Sequence, residues 1–294
     1  MKKIVALMFI LLFMPCLFSC STTDSRTDIL TSTQPLYFFT TRLCTDTGLT
    51  VDCLVTENIS CLHNYTLQPK QMRAIESAQL VIISGAGLEE SFEDILVSAK
   101  NTMDASVDVP LLCNDGSHAH ATADHDHHHE HDPHIWLSPR NAQIMTQNIY
   151  KKLCETYPQH QELFNKNLAA LNTDFEELCA YAQAQLSDLS SRNLVTFHDG
   201  FSYLADSFDL TILEAIEEES GRESSAAELI YLCHLIEEYN VPCIFTEYSG
   251  SISAAEIISA ETGVDIHQLD MAMSSNNYFD AMYHNIDTLK EALR

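Results

Sequence analysis

The stretch "FNKNLAALNTDFEELCAYA", Phe164 to Ala182, organises the chain. Phe164, Leu168, Leu171, Phe175, Leu178 and Ala182 recur at alternating spacings of four and three, the pattern of one apolar stripe along an α-helix. The pattern begins after Tyr157-Pro158, where proline breaks any preceding helix. At 1.5 Å per residue over about 25 residues, such a helix is long enough to brace two domains. Short apolar runs flank it: "LYFF" from Leu36, "LTVDCLV" from Leu49 and "QLVII" from Gln79 before, "LVTF" from Leu194 and "PCIFT" from Pro242 after. Apolar runs without alternation are what strands covered on both faces look like. The expected fold is therefore α/β: two lobes with mostly parallel sheets, joined by one long spine helix. Two capping-box patterns support the helices between strands, Ser225 with Glu228 and Ser253 with Glu256, the second closed by Gly263.

The ends and the composition narrow the class. The cationic start at Lys2 and Lys3, followed by an apolar run from Ile4 that Pro15 interrupts, reads as an export signal rather than a membrane span. "LFSC", Leu17 to Cys20, resembles the bacterial lipobox, in which cleavage before the cysteine precedes lipid attachment to it; an ordinary cleaved signal is the alternative. The polar "STTDSRTD" that follows suits a tether. The expected division is a signal over 1–19, a tether over 20–28, a first lobe over 29–140, a helical region over 141–187 and a second lobe over 188–294. Fifteen Lys plus Arg against forty-two Asp plus Glu give a formal charge of −27, which repels phosphate backbones and draws cations, so nucleic acid is excluded as a partner. No C-x-x-C pair occurs among the cysteines, so a cysteine zinc site is unsupported; the pairing of the eight beyond Cys20 is left open.

Eight of fourteen histidines fall between His118 and His134, and they divide into two kinds. His118, His120, His125, His127, His128, His129 and His131 are interleaved with Ala, Asp, Thr and Glu and have no apolar periodicity. Such a loop, residues 118–131, cannot bury itself, and its imidazoles are mobile ligands for zinc or copper. A solvated acidic loop without a role is the alternative. His134 differs: Asp132-Pro133 makes a turn before it and the apolar "IWLSP" follows. His63, after the strand of "LTVDCLV", and His198, at the end of "LVTF", share that character. Both sit where strands of an open α/β sheet should end, which is where such sheets bind ligands.

The segments "LHNYTLQP", "DPHIWLSPRNA" with the histidine loop before it, "TFHDGFSYLADSF" and "SNNYFDAMYHNIDTLKEAL" resemble, in order and spacing, the zinc and manganese solute-binding lipoproteins of ABC importers. The likeness extends through "ELIYLCHLIEEYNVPCIFTEYSGS" and "ETGVDIHQLD" and covers nearly the whole exported chain. It implies two α/β lobes joined by a single long helix that limits hinge motion, with one metal between them. It implies His63, His134 and His198 as the metal ligands. Three imidazoles without a thiolate suit zinc, whereas manganese prefers oxygen and the manganese-type members hold a glutamate at the position of His198. The chain departs from the family pattern twice. Asn276 stands where relatives carry an aspartate ligand, and Cys61-Leu62 replaces a Glu-Pro before His63. The fourth place is then water, a nearby carboxylate or, as a minor alternative, the Cys61 thiolate. Asp199 is read either as orienting a neighbouring imidazole or as capping the helix of "FSYLADSF". Glu247 in "FTEYSGS" either faces the cleft or caps its turn. His160, His234, His267 and His284 lie outside these motifs and are read as structural or surface residues.

The resemblance implies an extracytoplasmic protein that captures zinc and passes it to a membrane permease. It would be monomeric, anchored through lipid on Cys20 to the cell membrane facing the periplasm or exterior, and without enzymatic activity. Two other classes are kept: a zinc hydrolase, since three histidines and a water also build catalytic zinc, and an adhesin with structural zinc. A hydrolase would need a general base beside that water, and no H-E-x-x-H is present.

Overall fold

Strand β1 (Ile29–Thr31) is fully buried and feeds helix α1 (Gln34–Leu43) through Thr33 and Pro35. The computed structural model describes residues 27–57, 59, 62, 65–113, 131–216, 225–248, 252–273 and 277–294. "LYFF", expected as a strand, lies in α1. Pro35 in the first turn is pre-set for a helix, and Leu36, Phe39, Thr40 and Leu43 form a 3–4 stripe that is buried. The first strand is instead the short "ILT" before it.

Four parallel strands make the first sheet in the order β2 (Val51–Cys53), β1, β3 (Leu80–Ile83), β4 (Thr102–Asp104). Helix α2 (Pro69–Ser77) precedes β3, and α3 (Glu93–Leu96) precedes β4. The second sheet repeats the order with β6 (Thr211–Ala215), β5 (Asn193–Thr196), β7 (Cys243–Glu247) and β8 (Asp265–Leu269), again all parallel. Its helices are α6 (Ser202–Ser207), α7 (Ala226–Tyr239) and α8 (Ser253–Thr262). In each sheet the chain leaves the first-made strand to one side and then returns to the other. The carboxyl ends of β1 and β3, and of β5 and β7, therefore flank the topological switch points where open sheets bind ligands. The capping box at Ser225 is made in both directions, Ser225 N–H donating to Glu228 at 2.6 Å and Glu228 N–H to Ser225 Oγ at 3.3 Å. That expected at Ser253 is not. Ser253 is already the first helical residue and Ile252 occupies the cap, so the serine lacks the extended backbone that turns a cap side chain onto the third amide. Gly263 does end α8, at φ 79°.

Helix α4 (Pro139–Thr156) leads through a 3₁₀ turn into the spine, α5 (Gln161–Leu186), 26 residues long. Its stripe is buried as expected, with Leu168 half-buried. One end of the spine is tied to α1 by Arg42 and Asp174 at 2.6 Å and by Asn167 Nδ2 donating to Leu43 O at 2.9 Å. The other end is tied to the last helix, α9 (Tyr278–Leu293), by Tyr181 Oη donating to Asp287 at 2.6 Å. The apolar core runs without a break from Leu30 and Phe39 through Phe164 and Phe175 to Phe245 and Leu289. A separate cluster, with Val195, Ile244 and Ile258, fills only the outer face of the second sheet. The seven described cysteines are unpaired thiols. Burial pushes the most enclosed of them up, Cys53 to about 11 and Cys44 and Cys243 to about 12. They act as packing groups.

At the switch point of the first sheet, Glu89 is buried and joins two strand ends. Ser32 Oγ donates to it at 2.6 Å, and the N–H groups of Ser84 and Gly85 donate at 2.7 and 3.0 Å. Burial pushes its carboxyl from 4.5 up to about 7, against the opposing pull of these donors. A carboxyl raised in the folded state favours folding at low pH, and that advantage is lost as pH rises through 4.5 to about 7. Urea titrations over that range are expected to show the wild type losing stability relative to Glu89→Gln. Phe175→Ala, which empties the junction of Phe39, Tyr278 and Phe279 around the spine, is expected to cost about 3–5 kcal/mol. Because the core is continuous, calorimetry should show one unfolding transition for both lobes; two separate transitions would contradict it.

Candidate metal centre

His134 stands before the 3₁₀ turn Ile135–Leu137 that leads into α4, and His198 follows β5 in the second sheet. The structure brings their Nε2 atoms to 3.4 Å of each other, with the rings near perpendicular at 80°. Each ring is held from behind. Asp132 Oδ1 accepts from both the backbone N–H and the Nδ1 of His134, at 2.8 Å each, and carboxylate and imidazole are almost wholly buried. With its proton on Nδ1, His134 turns the Nε2 lone pair toward His198. A carboxylate behind an imidazole fixes its tautomer and raises its basicity as a ligand. Burial pushes the Asp132 carboxyl up, but the hydrogen bonds it accepts from His134 and Ser202 outweigh it and hold the group below the usual carboxylate range.

His198 is placed by a close approach of the backbone. A Cβ on Gly200 would lie 2.5 Å from His198 Cδ2, 2.7 Å from its Nε2 and 2.7 Å from the Met271 methyl, so only glycine lets the ring fold back over the chain. Thr196 Oγ1 donates to His198 O at 3.1 Å and pins the turn that leaves β5. The two nitrogens thus reproduce one edge of a tetrahedral site. Metal–nitrogen bonds of about 2.0–2.1 Å, the lengths of zinc to imidazole, place two ligand nitrogens about 3.3–3.4 Å apart.

Among the described residues no three His, Cys, Asp or Glu side chains converge as a complete metal site. His63, Cys61 and Asn276 lie outside the described residues, as do Cys20, His118, His120, His125, His127, His128 and His129. His131 is described: it bridges antiparallel to Cys113 and closes the root of the histidine loop. Glu247 is buried at the carboxyl end of β7, the strand beside the one that His198 follows. Asp199 is half-buried and does not cap α6, whose cap position is Phe201. The remaining histidines have local work: His160 lies edge-on to Phe164, His267 packs beside Phe245 and His284 bonds the Tyr248 hydroxyl at 2.8 Å, while His234 is exposed.

Sequence reading took Asp132-Pro133 for a turn and missed its carboxylate as the partner of His134. The signal was available, since an Asp two residues before a positioned His can reach its Nδ1 when the residue between is a proline that holds the turn. It also missed Gly200 and Trp136. Trp136, two residues beyond His134 with ring centroids 5.4 Å apart, donates its indole N–H to Met271 O at 2.8 Å.

The chain matches, over residues 29–292, the family described as zinc-uptake complex component A, periplasmic. It is 28% identical over 291 residues to the high-affinity zinc uptake system protein ZnuA of Bacillus subtilis, covering 92% of this chain and 89% of that one. It is 30% identical over 310 residues to the zinc-binding lipoprotein AdcA of Streptococcus pneumoniae, covering 99% of this chain and 61% of that longer protein. Among solved structures, a crystal structure of ZnuA superposes with a TM-score of 0.78 at 26% identity, covering 90% of this chain and 98% of that one. If Asp132 sets the basicity of His134, Asp132→Asn should weaken divalent metal binding roughly tenfold to a hundredfold while the fold is kept. Equilibrium dialysis alongside a melting curve checks this.

Proposed function

This chain belongs to the zinc-uptake component A family of ABC importers, and from that premise we propose that it captures Zn²⁺ between its two lobes and delivers it to a membrane permease. The family is one of solute-binding transport proteins rather than enzymes, which removes the ground for the hydrolase alternative. The observation that carries the reading is the 3.4 Å between His134 Nε2 and His198 Nε2, with Asp132 behind the first ring.

His63, which follows β2 by ten residues in the chain, supplies the third imidazole. Water or a carboxylate completes the shell, since the amide of Asn276 is a poor ligand; Glu247 and Asp199 stand at the right end of the second sheet to serve. Three neutral imidazoles prefer zinc to manganese, which favours oxygen donors. An open fourth place is compatible with the task, because the ion must be held tightly enough to scavenge and still be released. The formal charge of −27 raises the local cation concentration around the cleft. His118, His120, His125, His127, His128, His129 and His131 form an accessory collector whose metal is bound loosely. Lipid on Cys20 would keep the protein beside its permease, facing the periplasm or cell exterior, and one protomer suffices for capture.

A calorimetric zinc titration from Ser21 onward tests the division of labour. His63→Ala, His134→Ala and His198→Ala are each expected to lower tight binding by at least a hundredfold. Removing residues 118–131 should lower the number of zinc ions bound and leave one tight site. Loss of the tight site with the loop alone would overturn the assignment.

A further inference from the structure

We propose that Tyr278 is a positioning residue for metal capture: its phenol clamps the turn after His134 onto the second lobe and so sets the spacing of His134 and His198. This rests on the reading of those two histidines as ligands. The Tyr278 hydroxyl donates to Trp136 O at 2.8 Å, and the indole N–H of Trp136 donates to Met271 O at 2.8 Å. All three residues are buried. Trp136 lies in the 3₁₀ turn Ile135–Leu137, and Leu137 N–H bonds His134 O at 3.2 Å, so the clamp reaches the histidine through one turn of backbone. On the opposite side, the Met271 methyl and the His198 ring both close on Gly200. A second tie crosses the lobes nearby, Leu112 N–H donating to the Tyr203 hydroxyl at 2.9 Å.

The Tyr278 ring is itself buried among other rings. It packs edge-on against Phe39 of α1 at 4.9 Å and against Phe175 of the spine at 6.0 Å, between ring centroids. The phenol therefore stands among rings of α1, the spine and α9, and its hydroxyl is directed at the turn that follows His134. His134, although it precedes the spine in the chain, is thereby held to the second lobe by hydrogen bonds. A pair preset to a 3.4 Å edge suits an ion with zinc-length bonds better than a larger ion.

Tyr278→Phe keeps the ring and deletes the hydroxyl. The readout is built in, because Trp136 is the only tryptophan of the chain and its ring lies beside His134. Zinc and cadmium affinities of the full exported chain would be read from Trp136 fluorescence against a competing chelator. Tyr278→Phe is expected to weaken zinc roughly tenfold to a hundredfold and cadmium less, so that the zinc-to-cadmium ratio falls. Ile258→Ala, in the outer cluster of the second lobe, should lower the melting temperature and leave that ratio unchanged. A Tyr278→Phe protein that melts earlier but keeps wild-type zinc affinity and ratio would overturn the clamp and leave the ligand assignment standing. If that variant is unfolded at room temperature, the same ratio is read in sucrose, which favours the compact state, and an unchanged ratio there overturns the proposal. A wild type without tight zinc binding would overturn the ligand assignment and the clamp with it.

Discussion

Two ring nitrogens from segments before and after the spine in the chain stand 3.4 Å apart, a spacing in which a bound metal would tolerate little error. Ligand geometry has to be kept to within about 0.5 Å for a site to work as built. Domains joined by a linker and a small polar interface move relative to each other by default. Here the lobes share one apolar core, which passes from the first sheet through the buried face of the spine into the inner face of the second sheet. Phe39, Phe175, Tyr278 and Phe279 interlock around the spine with ring centroids 4.9 to 6.0 Å apart. Swinging one lobe would open that core to water, so the spacing of the two rings is held by packing.

The charges divide between one buried group beside His134 and many at the surface. Beside His134 a single carboxylate, Asp132, is buried and spent on one imidazole, where low dielectric makes the hydrogen bond count. Most other carboxylates are at the surface, where they are too screened to define a site but act together as a field for cations. The histidines divide likewise. His134 follows a proline turn and His198 the end of β5, whereas the histidines from His118 to His131 are interleaved with Ala, Asp, Thr and Glu without apolar periodicity.

How much could be read beforehand depended on range. The spine was legible because its periodicity is local and long, and β2, β3, β5 and β7 because runs such as "QLVII" are too apolar for anything but a covered strand. "LYFF" misled because four apolar residues carry no period of their own; the decisive signal was Pro35 one residue earlier. Ser253 misled because the capping-box spacing does not say which residue is still extended. Strand β8 entered only within "ETGVDIHQLD", as part of the family likeness, and β4 and β6, short and partly polar, gave no apolar run to read.

By itself the sequence determined the class of fold, the acidic field, the two kinds of histidine and the imidazole chemistry, all of which follow from composition or from spacings within one element. Only the tertiary structure decided that His134 and His198, 64 residues apart, bring their Nε2 atoms to 3.4 Å, that Asp132 faces Nδ1, and that Trp136 is gripped by Met271 and Tyr278 from 135 and 142 residues away. Those contacts have no local signature, because they form where two sheets and a helix are packed together and depend on the placement of all three.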